Sequence, residues 1–329
     1  MNSQHLPGMT VAISKNGTIL YAQGYGYADL SVCTPMPSNA EMNIGSITKQ
    51  FTAVAILQLQ NAGKLDIDQP LITYLPGYAF DARITLRMLL NQTSGLQDYL
   101  NFPELKQYAT TGAPASVGLN AIVQRTLDFT PGTQFEYSNS NYFILGSVIE
   151  AVSGSTYPDY LTAHVYAPAG LADTFYTRPA QSAAPYMPGS AGPVPGTVPD
   201  SSAYFAAGAL WSNVQDLASW DAALLGGREI PPAQVTLMMT PVPVPLFGST
   251  GAAYYGMGLI QTGPVAGHPF VWHNGQSLSY TGFNGMFTDD GFAVTVLTNY
   301  PTAEGTPLLN FTTALINAIC TSPGTAGNC

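Results

Sequence analysis

Two hairpin signals stand at opposite ends of this 329-residue chain, and any fold must reconcile them. Near the start, MTVAIS alternates, Lys15-Asn16-Gly17 supplies a turn, and TILYAQGYG follows as a second strand. Near the end, FNGMFT runs into Asp289-Asp290-Gly291 and then FAVTVLTN. Between them, residues 45–245 read mostly as helix and loop. The helical candidates are 46–61, 84–91, 118–128, 140–153, 158–164, 213–225 and 231–239, and TPLLNFTTALINAI reads as a last amphipathic helix. The pattern predicts an α/β (α+β) fold, with an antiparallel sheet built from N- and C-terminal strands, flanked by helices, plus an all-helical subdomain. One domain over 1–329 is expected, its sheet region drawn from about 1–60 and 245–329 and its helical region from about 61–244. The stretch RPAQSAAPYMPGSAGPVPGTVPD (178–200) reads as an ordered surface loop, because it is Pro/Gly/Ser-rich and lacks periodicity.

Charge excludes some partners. Only 9% of residues are Asp, Glu, Lys or Arg, and nine basic against nineteen acidic residues leave a net charge of −10. With no basic cluster, a nucleic-acid partner held through its phosphates is not expected. No apolar run approaches the length of a transmembrane helix. MNSQHLPG lacks the features of a signal peptide, so the chain is either cytosolic or a trimmed mature form. Cys320 and Cys329 bracket TSPGTAGN, a loop that a disulfide can close, with Cys33 left over; such a bridge would place the chain in an oxidising compartment.

Lysine is scarce, occurring at 15, 49, 64 and 106, and Lys49 stands in IGSITKQF at the head of the apolar run AVAILQLQ. Residues 47–59 show no clean polar face, which predicts a helix in the middle of a domain. Ser46 and Lys49 are three apart and therefore share a face. Burial would favour the neutral amine of Lys49, and a serine at a helix start has backbone N–H groups beside it that can stabilise an oxyanion. That combination fits an activated nucleophile. Taken alone, Ser-x-x-Lys reads more simply as an N-cap serine followed by a lysine with a buried stem.

Two further segments change the balance. Tyr137-Ser138-Asn139 precedes an apolar helix, and His273-Asn274-Gly275 lies in what reads as an edge strand. In the order S-x-x-K, Y-x-N, H-x-G, about 90 and about 135 residues apart, these boxes resemble those of the serine β-lactamase/DD-peptidase (penicillin-binding protein) superfamily. The resemblance is to the class C β-lactamase-like branch with DD-carboxypeptidases and esterases. GKLDIDQPLITYLP, LLNQTSGLQDY, PGTQFEYSNSNY and AAGALWSNVQDLASWDAALLGG extend it over almost the whole chain.

The resemblance implies a cleft between sheet and helical subdomain. There Ser46 would form an acyl-enzyme, with Lys49 and Tyr137 sharing the proton transfers. Asn139 would bond Lys49 and the substrate amide, and His273 would stand where many relatives carry a lysine, making activity sensitive to pH near an ordinary histidine pKa. Gly275 would let substrate approach the strand, and the N–H groups of Ser46 and Gln276 would form the oxyanion hole. Two departures bear on substrate. Asn274 and Gln276 replace hydroxyl residues that help relatives hold a carboxylate, and Ile260 and Gln261 stand where some relatives carry a basic residue. These favour uncharged esters or amides. The N-terminal segment is also shorter than the helix that relatives usually carry there.

Three functional readings follow. The first is a serine hydrolase of amide or ester bonds acting on a small-molecule or peptide substrate. The second is a promiscuous carboxylesterase, and the third a protein that is acylated but does not turn over. The resemblance implies a secreted or periplasmic setting, no cofactor and no metal, since the four histidines show no ligand spacing. It leaves the oligomeric state open.

Overall fold

The computed structural model describes residues 6–242, 253–265, 267–302 and the pair 314–315. The expected terminal helix, apart from that pair, and the Cys320–Cys329 loop lie outside the described residues; Cys33 is an exposed free thiol.

Twelve strands occur among these residues: β1 (Gly8–Lys15), β2 (Thr18–Asp29), β3 (Thr34–Pro35), β4 (Met42–Asn43), β5 (Tyr186–Gly189), β6 (Gly192–Pro195), β7 (Trp211–Ser212), β8 (Ala253–Tyr255), β9 (Ile260–Thr262), β10 (Phe270–Gln276), β11 (Thr281–Phe287) and β12 (Phe292–Thr298). Eight form one sheet in the order β3-β2-β1-β12-β11-β10-β9-β8. Both hairpins predicted from sequence form, and the two chain ends meet where β1 pairs antiparallel with β12, from Met9↔Thr298 to Lys15↔Phe292. Every residue of β11 and β12 is buried, because both faces of the sheet are covered there.

The helices are α1 (Thr48–Asn61), α2 (Leu86–Leu90), α3 (Tyr108–Thr111), α4 (Ala115–Val123), α5 (Asn139–Ser153), α6 (Tyr157–Leu161), α7 (Ala167–Ala169), α8 (Ser201–Gly208), α9 (Val214–Leu225) and α10 (Pro232–Met239). Each helix expected inside 45–245 is present, with α4 displaced toward Pro114, which stands at its N-cap. Helix α1 is buried from Thr48 through Leu57, as its lack of a polar face predicts. Its Phe51 stacks on Trp220 of α9 at 4.0 Å between ring centroids. Helix α9 lies against β1 and β12, whereas α5 packs on α1, α2 and α8 away from the sheet.

Two expectations are corrected. The 178–200 stretch contains a two-stranded ribbon, β5–β6, closed between Gly189 and Gly192. Its prolines concealed it, since Pro removes a ladder donor, yet a ribbon with open edges tolerates that loss. Strand β10 is also not an edge strand, since β11 and β9 flank it. The β9 pairing reaches only Val271 and Trp272. From His273 onward the far side of β10 turns to the chain that precedes α1.

Candidate active site

Ser46 sits in a single 3₁₀ turn, Gly45–Ile47, that leads directly into α1. It is partly exposed, while Ile44, Gly45, Ile47 and Lys49 around it are buried. Gly45 has φ +51, and a Cβ there would stand 2.6 Å from the Gln276 nitrogen. A Cβ on Gly275 would stand 1.8 Å from the Ile44 oxygen and 3.2 Å from the Ser46 nitrogen. Two glycines therefore let the serine turn and the free half of β10 press together, which brings the backbone nitrogens of Ser46 and Gln276 to one place.

Lys49 is fully buried, and its Nζ meets three oxygens: Ser46 Oγ at 3.0 Å, Asn139 Oδ1 at 2.8 Å and the Ala207 carbonyl at 2.8 Å. It also lies 4.9 Å from the centre of the Tyr137 ring. Desolvation pulls its pKa down to about 7, partly offset by the negative charge of Asp98. The chemistry of the three contacts matters. Asn139 Oδ1 and the Ala207 carbonyl can only accept, so the two N–H bonds of a neutral amine go to them. The remaining lone pair then faces the Ser46 hydroxyl.

Tyr137 is half-buried, its ring beside the Lys49 amine, and Ser46 is near enough to favour the phenolate slightly. Desolvation raises this phenol well above its ordinary pKa, so the phenolate is disfavoured. The segment carrying it is held by LLNQTSG. Gln92, buried at φ 65, accepts the Ser138 N–H at 3.1 Å and the Asn141 side-chain amide at 2.5 Å through Oε1. Ser94 Oγ donates to Asn141 Oδ1 at 2.5 Å.

His273 is buried and close to Tyr137, with ring centroids 6.1 Å apart. Its Nδ1 lies 2.5 Å from the carbonyl of Asn274, which fixes the proton there. Nε2 is thus left to accept the Tyr255 hydroxyl at 3.1 Å. Desolvation, reinforced by Lys49, lowers its pKa to about 3. The expected titration near an ordinary histidine pKa is therefore corrected, because a buried imidazole beside a potential ammonium stays neutral. The one ring proton is committed to the Asn274 carbonyl, so His273 offers no donor toward Tyr137.

The cleft thus gathers Ser46, Lys49, Tyr137, Asn139, His273, Gly275 and Gln276. Gln276 Nε2 reaches the Thr302 carbonyl at 3.5 Å. Three contributors escaped sequence reasoning. Asp98 Oδ2 accepts the Asn139 amide at 2.9 Å, and this fixes which end of that amide faces Lys49. Tyr255 holds His273. Phe205 adopts φ 41, ψ −133 inside α8, a left-handed kink that aims the Ala206 carbonyl at Thr52 Oγ1 (2.7 Å) and the Ala207 carbonyl at Lys49. Asp98 had a readable signal, lying inside the LLNQTSGLQDY stretch; the kink had none.

Among the described residues no helix is long and apolar enough to cross a membrane. Among curated proteins, the putative penicillin-binding protein PbpX of Bacillus subtilis (strain 168) is 31% identical over 266 residues, covering 79% of this chain and 63% of that protein. The D-aminopeptidase of Brucella anthropi is 35% identical over 167 residues, covering 50% of this chain and 32% of that protein. The chain thus spans less than two thirds of the length of these relatives. Of the solved structures, a D-amino acid amidase from Ochrobactrum anthropi SV3 superposes with a TM-score of 0.84 at 25% identity, covering 98% of this chain and 96% of that one. The octameric penicillin-binding protein homologue from Pyrococcus abyssi gives 0.80 at 27% identity, covering 95% and 75%. A family model described as beta-lactamase matches residues 1–317, and the chain belongs to that family.

Proposed function

We propose that the protein is a serine hydrolase that cleaves amide or ester bonds through an acyl-enzyme on Ser46. The observation that carries this reading is the placement of Lys49. A buried amine with a pKa of about 7 has both N–H bonds directed at obligate acceptors and its lone pair at Ser46 Oγ. Lys49 takes the hydroxyl proton as Oγ attacks the substrate carbonyl, and the N–H groups of Ser46 and Gln276 receive the developing oxyanion. Lys49 is the base rather than Tyr137, because desolvation raises the phenol and lowers the amine. Tyr137, beside Ser46 and Lys49, hands a proton to the leaving nitrogen or oxygen and is reprotonated from Lys49. Water then enters on the vacated side and the same groups run in reverse to release the acid.

The amidase and aminopeptidase relatives support amides as substrates. The amide side chains of Asn274 and Gln276 support a neutral leaving side over a free C-terminal carboxylate. Intact mass spectrometry with an activated ester or penicillin should show one adduct, absent in Ser46→Ala, whose turnover falls by about 10⁴ or more. Comparing p-nitrophenyl esters, amino-acid amides, a D-Ala-D-Ala peptide and nitrocefin ranks the substrate classes. An adduct surviving in Ser46→Ala, or none with any acyl donor, overturns the reading. An adduct that persists for hours identifies a protein that is acylated without turnover.

A further inference from the structure

A second cavity, of about 330 Å³, lies between α3, α4, α5 and α8. Four separate chain segments each contribute one residue to the Ser46 site and another to this cavity. Asp98, which bonds Asn139, is followed by Tyr99 on the cavity wall. Asn139 opens α5, and Phe143, one turn on and on the same face, lines the cavity. Helix α8 presents Ala203 and Tyr204 to the cavity and, a turn later, the Ala207 carbonyl to Lys49. A Cβ on Gly208 would lie 3.7 Å from both Tyr204 Cβ and the Gly45 carbonyl carbon. Leu278, two residues past Gln276, contributes a fourth wall. Segments that converge twice in the same order place the two spaces side by side.

The walls are almost wholly apolar. Two of the wall hydroxyls are already engaged: that of Tyr99 donates to the Ala203 carbonyl at 2.6 Å, and that of Ser202 to Asp200 at 2.6 Å. Lys106 is the one charged wall residue, and it is exposed, so its stem adds apolar wall while its ammonium stays in water. The volume stands at the small end of ligand pockets, which suits one side chain rather than a whole ligand.

Resting on the proposed acyl-Ser46 chemistry, we propose that this cavity is the acyl-side pocket, and that the substrate carries an aryl or alkyl group of about five to eight carbons on its reacting carbonyl. Two measurements test it separately. The first is binding of hexanamide and phenylacetamide to Ser46→Ala, followed by NMR, which needs no turnover. Both amides should bind more tightly than acetamide, and the difference should vanish in Val117→Phe and in Ala109→Phe, which fill the cavity from two helices. The second is turnover of p-nitrophenyl acetate, butyrate and hexanoate. Here kcat/KM should rise roughly three- to fourfold per added methylene, and the hexanoate-to-acetate ratio should collapse toward one in the filled variants. Equal binding of the three amides, or a preference that survives both fillings in folded protein, overturns the pocket. With binding intact, the absence of both turnover and a Ser46 adduct on every ester overturns the acyl-enzyme reading instead.

Discussion

At neutral pH the Lys49 amine stands near the middle of its titration, because burial has drawn its pKa down to about 7. If the neutral amine accepts the Ser46 proton, kcat/KM rises with pH through that value and levels off above it. Asp98 is the charge that opposes this drop. Asp98→Asn should therefore move the midpoint to lower pH while lowering kcat/KM about tenfold, since Asn139 loses its fixed amide orientation. A role for Asp98 in structure alone would lower activity without moving the midpoint. His273→Gln should leave the limb in place, because His273 is already neutral at any pH above about 3. A pH–rate profile of the three proteins checks all of this. The meeting of Ser46, Lys49, Tyr137 and Asn139 was legible because the S-x-x-K and Y-x-N boxes fix residue types at set spacings. The state of His273 was not, because it depends on the Tyr255 hydroxyl and the Asn274 carbonyl, which only the fold brings to it.

Elements show where space is absent. Gly275→Ala drives a methyl into the Ile44 carbonyl, at 1.8 Å before relaxation, so β10 and the serine turn must part. Activity should fall by at least about a hundredfold and stability by about 1–3 kcal/mol, read from kinetics and denaturant melts. A second test lies at the far end of α1. There Glu229 Oε2 accepts from Gln58 at 3.3 Å, Oε1 is buried with no partner among the described residues, and burial lifts the carboxyl to about 7. The folded state then holds its proton over a range where the unfolded chain has lost it. Its contribution is full below the unfolded value of 4.5 and is lost as pH rises through about 7. Glu229→Gln should melt higher than the parent at pH 8, and the gap should close by pH 4.5. Helix α1 was legible from its all-round apolar pattern. The kink in α8 was not, because Phe205 is held at positive φ by rings from Phe143, Tyr157 and Tyr176, which are distant in sequence.

On the scale of the molecule, the two hairpins and the helices between them carried the architecture. The placement of β10 within the sheet could not be read, because β8 and β9 are three residues each, too short for a period-2 signal. The join that closes the sheet has a consequence in time. Thr298 Oγ1 donates to the Gly8 carbonyl across 290 positions, and β1, already paired with β2 on one edge, finds the partner for its other edge in β12. During synthesis, Ser46 and Lys49 leave the ribosome long before Gly275 and Gln276 exist. Until the last strands emerge, the N-terminal hairpin waits with an open edge, and a long loop must be closed before that pairing rewards it. A nascent chain stalled ahead of residue 270 should therefore take no label from a fluorescent acyl donor, whereas release of the full chain should switch labelling on. The order of synthesis would keep Ser46 without its β10 partners until that strand has emerged.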